Sequence, residues 1–95
     1  MLIIKRYIGE IVNVQGAVKS YDITVLAIDC GQVTLDVAGG LQCGFEGDQV
    51  HVPVDGSGPL MVVIDRVGER WARLGFQGDP SRRIERCRHQ HAEAA

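Results

Sequence analysis

YIGEIVNV, residues 7–14, returns as FEGDQVHV, residues 45–52. The aromatic, the glycine, the acid and both valines coincide at an offset of 38 positions. At the same offset ITVLAID (23–29) falls on MVVIDRV (61–67) in apolar character. One inserted residue then brings VTLDVAG (33–39) onto ARLGFQG (72–78). Self-similarity at a fixed spacing means one structural unit used twice. The chain therefore reads as a single domain, 1–95, made of a first repeat of about 1–38, a second of about 39–88 and a frayed tail, 89–95.

The dominant period inside each repeat is two. DITVLAID (22–29) and QVTLDVAG (32–39) are rich in Val, Ile, Leu and Thr, and Asp29-Cys30-Gly31 forms the turn of a β-hairpin between them. PLMVVIDRV (59–67) and ERWARLGF (69–76) make a second hairpin, with Arg70 in its turn and Trp71 as a core or half-buried strand residue. QVHVPV (49–54) alternates as well, and Pro53 puts it at a sheet edge or bulge. The fold expected is all-β: a small barrel or sandwich of about eight or nine short antiparallel strands. Only ERCRHQHAEAA (85–95) looks helical, as a short C-terminal helix.

Apolar residues make up 45% of the chain, enough for a packed core and too many for disorder. No apolar run approaches the roughly 20 residues of a membrane helix, and the start lacks the pattern of a secretory signal. Cys30, Cys43 and Cys87 are odd in number and have no CxxC spacing, which favours reduced thiols and a cytoplasmic location. The net charge of −2 hides a lopsided distribution: seven of the ten cations are arginines between Arg66 and Arg88, and none lies from Ser20 to Asp65. The other basic end is Lys5-Arg6, inside an apolar opening run, MLIIKRYIGE. Alternation places Leu2, Ile4 and Arg6 on one face and Ile3, Lys5 and Tyr7 on the other. The start of this strand is expected to be tucked into the barrel, with Lys5 and Arg6 at its solvent-side end.

MLIIKRYIGE resembles the opening strand of the carbon storage regulator family (CsrA/RsmA), which reads Met-Leu-Ile-Leu, a variable residue, Arg, two more residues, then Gly-Glu. ITVLAIDCGQVTLDV (23–37) is similar to that family's central hairpin, and MVVIDRVGERWARLGF (61–76) to the same hairpin again. GDPSRRIERCR (78–88) resembles its Ala-Pro segment and last strand, with Ile84-Glu85-Arg86 in the pattern apolar, polar, Arg. The resemblance implies a homodimeric RNA-binding fold that acts on translation and message stability by recognising GGA in hairpin loops. It implies no catalysis and no cofactor. It also implies an RNA surface that joins the first strand of one protomer to the fifth strand of the other.

This chain keeps one basic first strand and one basic last strand, in different repeats, and the neutral LQCGF (41–45) stands where the other two would be. The resemblance thus implies a monomeric single-chain pseudo-dimer, a homodimer being the other option, with one RNA surface for an mRNA leader or small regulatory RNA. Residues 1–7 would pair with 81–87 across one sheet, and Arg6 would lie near Arg86. The RNA-binding residues implied are Ile4, Lys5, Arg6, Arg82, Arg83, Ile84, Arg86 and Arg88, with Arg70 away from the patch. Tyr7, where the family often carries Arg, could stack on a base or pack. Asp79 and Glu85 add opposing charge.

Cys87, His89 and His91 would share a face on a strand, but no fourth ligand accompanies them, so no metal site is expected. No Ser-His-Asp order, P-loop, GxGxxG or acid-base carboxylate pair appears, and no enzyme is expected. The alternative function is a degenerate relative that pairs with a family member or other protein through strand edges and does not bind RNA.

Overall fold

The computed structural model describes residues 1–56, 58–78 and 82–87, the last of these by its main chain. Nine strands follow one another: β1 (Leu2–Tyr7), β2 (Ile11–Gln15), β3 (Ser20–Asp29), β4 (Gln32–Val37), β5 (Gly40–Gly44), β6 (Gln49–Val52), β7 (Leu60–Val67), β8 (Trp71–Gln77) and β9 (Ile84–Cys87). They form two antiparallel sheets, ordered β1-β8-β7-β6 and β5-β4-β3-β2-β9. The all-β expectation holds. Alternation along β4, β6 and β7 sends every second residue inward. The inner faces meet in one apolar cluster that includes Ile4, Val12, Val14, Ile23, Leu35 and Leu74. Two sheets packed face to face bury that alternation on one side of each strand.

The repeat is drawn in hydrogen bonds. Gly9 N donates to Val25 O at 2.7 Å, and Gly47 N donates to Ile64 O at 2.7 Å. Glu10 N donates to Tyr7 O, and Asp48 N to Phe45 O, both at 2.9 Å. The side chains repeat this: Glu10 Oε1 accepts from Tyr7 N at 2.8 Å, and Asp48 Oδ2 from Phe45 N at 2.8 Å. The acid shared by YIGE and FEGD thus caps the turn in both copies. Gly9 (φ 93°) and Gly47 (φ 96°) lie in the left-handed region that only glycine enters at no steric cost. Each turn hands the chain from one sheet to the other: Ile8 N donates to Arg70 O in the first sheet, and Gly9 N to Val25 O in the second. Both hairpins carry an equivalent β-bulge, with Leu26 extra in one and Asp65 extra in the other, 39 positions apart, so the inserted residue of the second repeat precedes β7 rather than following it.

Each first strand leaves its own repeat. β1 pairs with β8, from Leu2 opposite Phe76 to Tyr7 opposite Trp71. Its counterpart β5 pairs with β4, from Gly40 opposite Val37 to Gly44 opposite Val33. β9 pairs with β2, from Val14 opposite Ile84 to Ile11 opposite Cys87. Residues 1–7 therefore do not pair with 81–87, which corrects the expectation. The two strands edge different sheets, because the turn at Gly9 and the passage between β8 and β9 each switch sheets. Two other expectations change. Leu2 and Ile3 are 47% and 39% exposed, so only Ile4 of the opening run is tucked in. Glu85, Arg86 and Cys87 extend β9 along an open sheet edge rather than starting a helix; the remainder of the helix expected from residue 85 lies outside the described residues.

Pro53 falls at the edge expected. By the repeat it corresponds to Gln15, whose N–H donates to Arg83 O at 2.9 Å and guides β9 onto β2. Proline has no N–H to offer. The Gln42 side chain also covers this flank, donating to His51 O at 2.9 Å. Among the described residues β6 has a strand on one side only. Proline and side-chain cover are how proteins keep such an edge from recruiting another strand.

Candidate nucleic-acid interface

β1 and β9 edge different sheets and approach each other only at one cleft and through β2. At their starts, Met1 and Leu2 border one cleft with Arg82, Ile84, Leu60, Phe76 and Gly78. At their ends, Arg6 Nη1 donates to Ile11 O at 3.3 Å, and Ile11 is opposite Cys87. The single basic first strand and the single basic last strand thus flank one gap between the sheets. At the corresponding place in the second repeat, β5 carries no cation, and among the described residues β6 has no strand beyond it.

The candidate residues divide by what they already hold. Ile4 is 2% exposed, so only its main chain could meet a ligand. The Arg6 side chain is 13% exposed; its Nε lies 3.6 Å from Glu10 Oε1 and donates to Lys5 O at 3.0 Å. It braces the turn after β1. Lys5 is exposed and lies over Trp71, with Nζ 4.5 Å from the ring centroid, and near Tyr7, at 5.3 Å. Trp71 is half-buried, as expected. Arg83 is exposed and lies 3.7 Å from Glu85 Oε2, a surface pair of little energetic consequence. Arg86 is exposed, opposite Val12 and on the same side of its sheet as Ile84. Arg88 and Asp79 lie outside the described residues, as do the Cys87 side chain, His89 and His91. Arg70 is not remote: its carbonyl accepts from Ile8 N at 3.0 Å, at the end of β1.

Arg82 is a clamp that sequence reasoning did not foresee. Its Nη1 donates to Gln15 O at 3.4 Å and to Asp55 O at 3.5 Å, and its Nη2 to Gly58 O at 3.0 Å. Asp55 in turn accepts from Val18 N at 2.7 Å and from the Tyr21 hydroxyl at 2.8 Å. A methyl group at Gly16 would run into Asp55 Oδ1, so that position is closed to larger residues. This network anchors the end of β2 and the approach to β9. These three Arg82 contacts are all to main-chain carbonyls, which every residue carries, so no side-chain pattern in the sequence marked them.

The hydroxyl of Tyr21 holds the Asp55 carboxyl below its ordinary value of 3.8, burial opposing, while burial and Asp55 together push the Tyr21 phenol up. A carboxylate with a depressed folded pKa stabilises above its unfolded pKa, and that contribution disappears as pH falls through the folded value. The melting temperature should therefore fall on acidification through and below 3.8, and Asp55→Asn should flatten that acid limb. An acid limb of equal depth in wild type and variant would assign the effect to other carboxylates.

No family model, curated protein or solved structure matches the chain. Among the described residues no helix is long and apolar enough to cross a membrane.

Proposed function

We propose that the chain is a monomeric, cytoplasmic, RNA-binding post-transcriptional regulator of the carbon storage regulator kind, taking one GGA-type hairpin loop on the border between β1 and β9. The observation that carries this reading is one-sidedness. Basic strands from different repeats flank one gap, and the equivalent gap is neutral and its β6 edge is blunted by Pro53 and Gln42. Lys5, Arg83 and Arg86 are the exposed cations there, suited to phosphates. Lys5 O and the main chain of Tyr7 are already bonded, and the outer edge of β1 before them, at Ile3, offers a donor and an acceptor to a splayed base. Arg6 and Arg82 shape that border from within. The activity needs no catalysis and no cofactor.

Titration calorimetry with single- and double-hairpin RNAs tests this. One hairpin should bind per chain, a GGA-to-CCA change should abolish binding, and affinity should fall by roughly 0.7 log units per contacted phosphate for each decade of salt. Two hairpins per chain would make the neutral side a site as well. One hairpin per two chains would mean a surface built in trans, and no binding would end the reading.

The second reading, a protein-interaction module without RNA, is favoured by one observation. Leu26, Leu41 and Phe45 are 42%, 68% and 51% exposed on β3 and at β5. Co-purification with a small family homodimer in the absence of RNA is the outcome it requires.

A further inference from the structure

The outer face of the four-stranded sheet carries a feature that the GGA site does not use. Lys5 stands opposite Arg73, and Arg73 stands opposite Arg66. Directly opposed residues of antiparallel strands project to the same side. These cations therefore form a row across β1, β8 and β7, roughly 4.8 Å from strand to strand. Arg66 joins the row only through the bulge. Asp65 is the extra residue after Ile64; in regular register Asp65 would oppose Arg73, and Arg66 would oppose the buried Ala72. The adjoining row sets Tyr7, 47% exposed, opposite Trp71.

Like charges directly opposed weaken a sheet. Here Asp65 answers only part of the charge: its Oδ2 accepts from Arg73 Nε at 3.2 Å and from Nη2 at 2.8 Å. With three cations against that one carboxylate, the row keeps a net charge of about +2 (3 − 1). The other half of the molecule is the internal control. The same backbone there sets Cys43 opposite Thr34 and Thr34 opposite Ala27, with Leu26 as the bulge residue and Phe45 in the place of Tyr7. That row has no charge. The cationic row therefore comes from this one face and not from the fold.

We propose that this face is a second contact surface for the same RNA: Lys5, Arg73 and Arg66 take phosphates of a single-stranded segment flanking the hairpin, and a base stacks on Tyr7. The proposal rests on the RNA reading above. Lys5 belongs to both surfaces, so a strand leaving the β1/β9 border passes directly onto the row. Exposed rings beside cations suit single-stranded RNA, because a ring takes any base while the cations follow the backbone.

Trp71 is the only tryptophan in the chain and reports on this face. The test titrates the full chain with a GGA hairpin, the same hairpin carrying a single-stranded extension, and the extension alone. The extension should tighten binding and quench Trp71 fluorescence. Arg66→Gln should weaken the extended hairpin about tenfold, leave the bare hairpin unchanged and make the salt dependence shallower by roughly 0.7 log units per decade. Tyr7→Leu should lose the gain from the extension, and Phe45→Leu should keep it, each variant melting as the wild type does. If the bare hairpin binds and Arg66→Gln leaves the gain from the extension intact, this proposal falls and the GGA reading stands. If the hairpin does not bind and the extension alone still quenches Trp71 in an Arg66-dependent way, the GGA reading falls and this one stands. Quenching by anionic lipid vesicles without any by RNA overturns it in favour of a membrane surface, and quenching by none of these probes overturns it outright.

Discussion

Leu74→Ala lowers the unfolding free energy by about 2–5 kcal/mol, the usual range for removing a buried leucine side chain. Leu74 is fully buried at the centre of β8, where Ile4 of β1 stands opposite on one side and Ile64 of β7 on the other. Those three side chains form one apolar layer against the second sheet. A cavity there weakens the seat of β1 as well as the core. Domains of this size have about 5–15 kcal/mol in total, so the loss is a large fraction. Urea denaturation checks it: the midpoint falls and the slope stays constant. A loss below about 1 kcal/mol would show that β8 is not at the centre of the core, since only sites that collapse fully are so tolerant.

Arg86→Ala weakens binding of a GGA hairpin by about 1–3 kcal/mol, roughly 5- to 150-fold, if its guanidinium makes a direct contact at the β1/β9 border. Lys19→Ala is the control. Arg86 stands opposite Val12, and Lys19 lies in the turn beyond the far end of β2. The run from Val12 to Gly16 alone spans about 13 Å of extended chain. Loss of that remote cation reduces only the general attraction, and more salt reduces its effect further. Gel shifts of both variants at two salt concentrations separate the cases. Equal losses would mean diffuse attraction with no site at the border.

Most of the fold was legible because it is written in local signals. Alternation of period two gave the strands, Asp29-Cys30-Gly31 gave a hairpin, and Pro53 marked an edge strand. The correspondence of YIGE with FEGD located both sheet-switching turns, since glycine and a capping acid are local requirements. Of the candidate site, the exposure of Lys5 was legible, whereas the residues from Glu85 read as helix and the strand at Ile84–Arg86 was implied only by the family resemblance. The inward turn of Arg6 and the clamp made by Arg82 were not, because each depends on carbonyls supplied by other strands: Ile11 for Arg6, and Gln15, Asp55 and Gly58 for Arg82.

By itself the sequence determined most of the strands, the apolar face of the central ones and that the unit occurs twice. Those properties follow from side-chain size and backbone preference, which act over a few residues. Tertiary structure alone decided partnership. Alternation says which way a side chain points and nothing about the neighbouring strand, so β1 could be read as a partner of the last strand while it lies on β8. The row of Lys5, Arg73 and Arg66 is the sharpest case. Lys5 is far from the two arginines in the chain, and one bulge at Asp65 turns Arg66 outward to meet Arg73, a register choice that only the packed sheet can make.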